Sequence, residues 1–268
     1  MKKLLLGFYA LIALSLGACK DGTDDPIVGT GDVEIEFENR AGDATMILGN
    51  EYTNAAGEKL RFSTFNYYIS NIVLVNKDGS TYTVPKNDSY FLVKQADAPS
   101  RTIQLSNVPA GDYTGLRFVL GVDSLKSVSP AAERTGVLDP ATGASGHYWA
   151  WNSGYIFLKM EGTSPAAPVD PGSGQQRFEY HIGLYGGLNS KTINNLKNIS
   201  LTVPDEAAKV RQGEEAPHFH LYADALEMFD NPTVLKIAEH PAVHAEAFSA
   251  TLANNYADMF SIDHVHNH

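Results

Sequence analysis

Histidine is the residue type whose placement in this chain most directly suggests metal chemistry. All nine histidines lie in the second half of the sequence, from His147 onward. His218 and His220 stand two residues apart in "PHFHLY", so in a strand both imidazoles point to one face. His264 and His266 repeat that spacing in "DHVHNH". Because two imidazoles at this spacing can bind one ion, each pair is a candidate site for Cu, Zn, Ni or Fe.

Both histidine pairs also have an ordinary interpretation. His218 and His220 could form no more than the polar face of a strand. His264 and His266 lie at the end of the printed sequence, and chain termini are often poorly ordered. The spacing alone leaves both interpretations open.

The stretch "GHYWAWNSGYIFLKMEG" contains Trp149 and Trp151, the two tryptophans of the chain, directly after His147. If it is extended, these three side chains share one face. Two tryptophans on one face usually pack in a core, and an unmodified indole is a poor ligand because its nitrogen only donates. Residue chemistry alone therefore favours core packing here.

Familiar catalytic motifs are absent from the sequence. There is no G-x-S-x-G, no H-E-x-x-H and no P-loop. No pair of acidic residues stands out as an acid and base couple. These absences argue against an ordinary hydrolase.

The first residues predict export and a lipid anchor. Residues 1–18 have a charged start, an apolar run and a small-residue cleavage site, as signal peptides do. The "LGAC" that ends at Cys19 resembles a bacterial lipobox, which predicts lipidation of this single cysteine; a lone structural thiol is the alternative. Residues 19–31 are acidic and rich in glycine and predict a flexible tether. The expected location is the outer membrane, on its periplasmic face or at the cell surface.

Charge and cysteine content narrow the possible partners further. The formal net charge of −11 argues against nucleic acid, which needs clustered Lys and Arg. With Cys19 lipidated, any site for a soft metal must use histidine, methionine or a less common ligand.

From residue 32 onward the chain alternates as a β protein does. "DVEIEFEN" alternates apolar and acidic residues, and "FNYYISNIVLVNKDGSTYTV" predicts a hairpin with its turn at "KDGS". Further strands are predicted at "YIFLKM", "RFEYHIGL", "NISLTV" and "HFHLYA". The segment "PAVHAEAFSATLANNYADMF" has mixed helical spacing. We predict an all-β fold over residues 32–268, an antiparallel β-sandwich with long loops and one or two C-terminal helices.

Seven segments, taken in order, carry a resemblance to a known family. They are "YYISNIVLV" (67–75), "NVPAGDY" (107–113), "LRFVLGVDS" (116–124), "VLDPATG" (137–143), "WAWNSGYIFLKMEG" (149–162), "FEYHIG" (178–183) and "NYADMFSIDHVHN" (255–267). Together they are similar to the MbnP-like copper-binding family. Its members are extracytoplasmic partners of MauG/MbnH-like dihaem peroxidase-like enzymes.

The resemblance implies a specific site. In such proteins a dihaem partner oxidises a tryptophan to kynurenine, which binds copper together with histidines. Opening the indole ring turns a donor-only nitrogen into an aryl amine with a free lone pair. Carried over to this sequence, Trp151 or Trp149 is the modified residue, His181 is an imidazole ligand and His147 completes the set. His264 and His266 fall within the family pattern as a second metal site or a structural lock.

The sequence therefore predicts a lipid-anchored copper-binding protein of the cell envelope, with roles in copper acquisition or homeostasis. Two or three neutral donors suit Cu(I) better than Cu(II). One alternative is a surface-exposed carbohydrate- or protein-binding sandwich, which predicts exposed tryptophans. A purely structural envelope protein with incidental histidines is the other.

Overall fold

The structure, a computed structural model, describes residues 27–149 and 154–268. The predicted signal peptide, Cys19, most of the tether and Trp151 lie outside the described residues. The lipid anchor and any change at Trp151 thus stay predictions. Among the described residues, no helix has the length and apolar character needed to cross a membrane.

Strands dominate the described chain. In chain order they are β1 (Thr30–Ala41), β2 (Ala44–Thr45), β3 (Glu51–Thr53), β4 (Lys59–Asn76), β5 (Thr81–Thr83), β6 (Tyr90–Lys94), β7 (Thr102–Pro109), β8 (Gly111–Leu120), β9 (Tyr148–Trp149), β10 (Gly154–Thr163), β11 (Arg177–Gly183), β12 (Lys197–Thr202), β13 (Ala208–Val210), β14 (His218–Asp224), β15 (Ala242–Val243) and β16 (Phe260–His266).

Helices contribute little to the described part of the chain. The α-helices are α1 (Ser124–Ser127) and α2 (Ser249–Tyr256), and short 3-10 turns lie at Lys86–Asp88, Ala98–Arg101, Ala131–Glu133, Gly136–Leu138 and Ala225–Phe229. Helix α2 lies in the region where a C-terminal helix was predicted. It buries Leu252, Ala253 and Tyr256, so it closes one side of the core.

The strands form two sheets, which confirms the all-β sandwich. Within the described residues, the smaller sheet follows the order β16-β14-β1-β2. Strand β7 also pairs with β1, along the edge of β1 that faces away from β14. The larger sheet follows β12-β8-β4-β10-β11-β15, and β3, β5, β6, β9 and β13 pair along its strands. Most pairs are antiparallel, but β1 with β14 and β11 with β15 run parallel. Neither parallel pair is joined by a hairpin, so no turn dictates an antiparallel direction.

The core between the sheets is rich in aromatic side chains. Phe260 of β16 packs edge-on against Phe37 of the same sheet, with ring centroids 6.2 Å apart. It also packs against Tyr67 (5.5 Å) and Phe118 (5.2 Å) of the larger sheet. Edge-to-face pairs add stability beyond area burial. This aromatic cluster packs the two sheets against each other.

Strands β10 and β11 have alternating faces that create a polar surface outside the sandwich. Tyr180 and Ile182 are fully buried, whereas Glu179 and His181, which alternate with them along β11, face outward. Their cross-strand partners Glu161 and Lys159 face the same way. We call this surface, with the residues packed on it, the outer face of the larger sheet.

Candidate metal sites

His181 is the centre of a polar group on the outer face of the larger sheet. Its Nε2 lies 2.7 Å from Oε1 of Glu161 on β10 and 3.4 Å from Oε1 of Glu179 on β11. The imidazole side chain is 13% exposed, so it is reachable but largely shielded. The hydrogen bond from His181, opposed by burial and aided by Lys159 and Thr64, lowers the pKa of Glu161 to about 2.

His244 meets His181 because β15 runs parallel to β11. Val243, the last residue of β15, pairs with Tyr180. His244, which follows Val243 directly, therefore lies beside His181, which follows Tyr180. The two imidazoles stack with centroids 4.8 Å apart and planes 15° apart. His244 Nε2 lies 3.4 Å from Oε1 of Glu179; this atom is shielded from solvent and makes no hydrogen bond, although the His244 side chain as a whole is 44% exposed. One ligand atom each from Glu179, His181 and His244 lies within 4.8 Å of the others.

His147 packs on the same outer face. Its side chain is buried, 4% exposed. Asn66 Nδ2 of β4 lies 3.2 Å from Nε2, and the carbonyl of Ser145 lies 3.2 Å from Nδ1. This pattern fits a neutral ring that donates from Nδ1 and accepts at Nε2. Burial lowers the pKa of His147 to about 4, so the ring is neutral at neutral pH.

Trp149 lies against the strand that carries His181. It pairs with Gly154 as β9 adds to β10, and its side chain is 8% exposed. A Cβ atom built on Gly183 would stand 2.7 Å from Cζ3 of Trp149, so the indole covers Gly183. His181 and Gly183 are two apart on β11 and share a face. The structure thus places Trp149, His147 and His181 on one surface.

Lys159 contributes a positive charge to this surface. Its Nζ lies 3.2 Å from Oε1 of Glu161 and 3.3 Å from the carbonyl of Gly146. The carboxylate of Glu161 partly neutralises the positive charge of Lys159. Glu179 adds a further carboxylate beside the two stacked imidazoles.

The remaining predicted histidines meet on the smaller sheet. His218 stands opposite His266, and His220 opposite His264, across β14 and β16. His264 and His266 therefore lie in β16, which pairs with β14. The group whose ligand atoms lie within 4.8 Å consists of His220, Asp263 and His264, and does not include His218 or His266.

Sequence reasoning missed Glu161, Glu179, His244 and Asp263. Two of them carried a signal: Glu179 precedes His181 by two residues in "FEYHIG", and Asp263 directly precedes His264. His244 gave no such signal, because its contact with His181 depends on the parallel pairing of β15 with β11.

A sequence profile settles the family. The profile of the MbnP family matches residues 30–245, well over half of the chain. The chain belongs to the MbnP family. The match contains His147, Trp149, His181 and His244, whereas Asp263 and His264 come after its end.

A solved structure agrees with this assignment at the level of the fold. MbnP from Methylosinus trichosporium superposes with a TM-score of 0.51 at 17% sequence identity, over 81% of this chain and 82% of that chain. At this identity the likeness concerns the fold alone. No curated protein matches the sequence significantly.

Proposed function

We propose that this chain is a lipid-anchored, extracytoplasmic copper-binding protein, without catalytic activity of its own, that acts in copper acquisition or homeostasis. The observation that carries the proposal is the convergence of Trp149, His147 and His181 on one face of the larger sheet, in a chain of the MbnP family. His147 and Trp149 are neighbours in sequence, and the pairing of β9 with β10 and of β10 with β11 brings them to the face that carries His181.

The residues present fit a copper ion. Nε2 of His244 lies on a half-exposed side chain, makes no hydrogen bond and faces the Glu179 carboxylate at 3.4 Å, so this nitrogen is available to a metal ion. His147 is neutral at neutral pH, which is the form of imidazole that binds metal. His181 would be the common ligand, with His147 on the side of Trp149 and His244 on the other side. A few neutral nitrogen donors suit Cu(I), so the proposed ligand set consists of imidazoles and an aryl amine and leaves the carboxylate of Glu179 outside it.

The third donor in this proposal is a tryptophan converted to kynurenine. Oxidation cleaves the indole C2–C3 bond and places one oxygen on each carbon, and hydrogen peroxide or dioxygen takes up the electrons. Hydrolysis then removes C2 as formate and leaves an aryl amine beside a ketone. Trp149 is one candidate because its ring lies over Gly183, two residues along β11 from His181. Trp151 is the other candidate from the sequence.

A dihaem partner of the MauG/MbnH-like class, which the family resemblance implies, would perform this oxidation. Lipidation of Cys19 would keep the protein at the outer membrane. The acidic net charge would favour the approach of cations over nucleic acid.

Copper titration of the His181→Ala variant tests the proposal. Protein taken from its native envelope is stripped of metal and titrated with Cu(I) against a competing chelator. We expect affinity to fall at least about tenfold, or about 1.4 kcal/mol. The control is His240→Ala, because His240 stacks on Phe248 away from the proposed ligands. Equal Cu(I) affinity in wild type and His181→Ala would refute the site.

Two further variants, His147→Gln and His244→Gln, identify the second imidazole. Loss of Cu(I) affinity in His147→Gln alone places the ion beside Trp149. Loss in His244→Gln alone places it beside Glu179, where the stacked imidazole pair lies.

The alternative of an aromatic binding platform is not favoured for Trp149. That function requires exposed rings, and Trp149 is only 8% exposed.

A further inference from the structure

A β-bulge in the smaller sheet places a carboxylate between two imidazoles. On β14 and β16, His220 stands opposite His264 and Leu221 stands opposite Ile262. Asp263 is thus the extra residue on β16 and has no partner in the ladder. Bulges of this kind redirect a side chain, and this one turns the carboxylate of Asp263 toward β14.

The distances define a compact three-residue group. Oδ2 of Asp263 lies 3.2 Å from Nδ1 of His220 and 2.8 Å from Nδ1 of His264. The two imidazole centroids are 5.0 Å apart with planes tilted by 38°. One ligand atom from each residue lies within 4.8 Å of the other two. In the metal-free state the two Nδ1–H groups donate to the shared carboxylate oxygen.

From this geometry we infer that His220, Asp263 and His264 form a binding site for a divalent transition-metal ion. Two imidazoles and one carboxylate are a common ligand set for Zn²⁺, and a harder oxygen ligand favours a divalent ion over Cu(I). Zn²⁺ is the probe that fits this set. A bound ion would take the place of the Nδ1 protons, each neutral ring would carry its single proton on Nε2 instead, and the ion would join β16 to β14.

Neighbouring charges on β1 favour a cation at this site. Glu38 Oε2 lies 3.3 Å from Nε2 of His220, and Glu36 Oε2 lies 3.2 Å from Nε2 of His218. Arg40 lies 3.9 Å from Glu38, so this carboxylate is shared and we do not assign it as a ligand. His220 is 15% exposed and His264 is 52% exposed, so the group is anchored on one side and open to solvent on the other.

This site is separate from the proposed copper site. It lies on the smaller sheet and uses none of His147, His181 or His244. The inference therefore does not depend on the copper proposal, and either can fail without the other.

Zn²⁺ titration in a His181→Ala background tests the inference. The full chain is prepared without a polyhistidine tag, stripped with a chelator and titrated with Zn²⁺ against a chromophoric competitor. One equivalent of Zn²⁺ is expected to bind to the background protein. Asp263→Asn and His264→Gln are each expected to weaken it at least about tenfold, the scale at which even outer-shell partners affect metal affinity.

His266→Gln is the matched control. His266 lies on the same strand, is exposed and contacts His268 rather than Asp263. The Zn²⁺ affinity of the His266→Gln variant should equal that of the background protein. Because His264 is half exposed, its substitution should leave the far-ultraviolet circular dichroism spectrum unchanged, which checks that the variant is folded. The inference is overturned by absence of stoichiometric Zn²⁺ binding, by binding that survives both ligand substitutions, or by equal loss in His266→Gln.

Discussion

Replacing Gly183 by alanine should displace Trp149 from the surface that carries His181. A Cβ atom at residue 183 would stand 2.4 Å from the backbone oxygen of Tyr155 and 2.7 Å from Cζ3 of Trp149. Ordinary van der Waals contact begins at 3.4 Å, so the methyl group is about 1 Å too close to a backbone atom. Overpacking of this kind costs about 1–3 kcal/mol. We expect the upper half of that range, because a backbone oxygen cannot rotate away.

Thermal unfolding and tryptophan fluorescence measure this effect. For a chain of this size the melting temperature should fall by roughly 4–10 °C. In protein with intact tryptophans the emission should also change, because Trp149 and Trp151 are the only indoles. Gly172→Ala is the control: its Cβ would meet only Asp170, at 3.4 Å, so its melting temperature should match wild type. An unchanged melting temperature and emission in Gly183→Ala would refute the close packing of Trp149 on β11.

Two other substitutions test the fold. Phe260→Ala removes a ring that joins the two sheets and should destabilise the protein by about 3–5 kcal/mol in urea unfolding, while Ser261→Ala, exposed on the same strand, should stay within about 0.5 kcal/mol. Burial raises the pKa of Asp123, but hydrogen bonds from Tyr90, Lys86 and Asn71 outweigh it and hold the pKa below its usual value. This carboxylate therefore stabilises the fold above its unfolded pKa, and the contribution is lost as the pH falls through its lower folded pKa. Asp123→Asn should cost about 1–3 kcal/mol at pH 7 and little in strong acid, and equal loss at both pH values would contradict this explanation.

Local sequence signals predicted the strands and the faces they present. The alternation in "HFHLYAD" predicts that His218 and His220 share a face, and β14 buries Phe219, Leu221 and Ala223 as expected. The "KDGS" turn joins β4 to β5, and Gly79 adopts a φ of 86°, which a glycine adopts readily. These features depend on residues close in sequence, which is why the sequence alone was enough.

Features that depend on distant pairing could not be predicted in the same way. The contact between His181 and His244 requires β15 to lie parallel to β11, and no turn signal specifies that pairing. The role of Asp263 depends on a bulge whose position follows from the register of β16 against β14. The burial of His147 likewise depends on Asn66 of a strand far earlier in the chain. A residue pattern gives the face of a strand, but its neighbour is decided by the packing of the whole sheet.

The central claim is that a modified tryptophan and histidines hold copper on the outer face of the larger sheet. Its most direct test is a peptide mass map of protein taken from the native envelope, centred on the tryptic peptide that follows Arg134 and ends at Lys159. Native material is needed because a foreign host can lack the dihaem partner. One tryptophan is expected to have exchanged a carbon for an oxygen, and fragment ions will show whether it is Trp149 or Trp151. If both tryptophans are intact in copper-loaded native protein, the kynurenine ligand is contradicted.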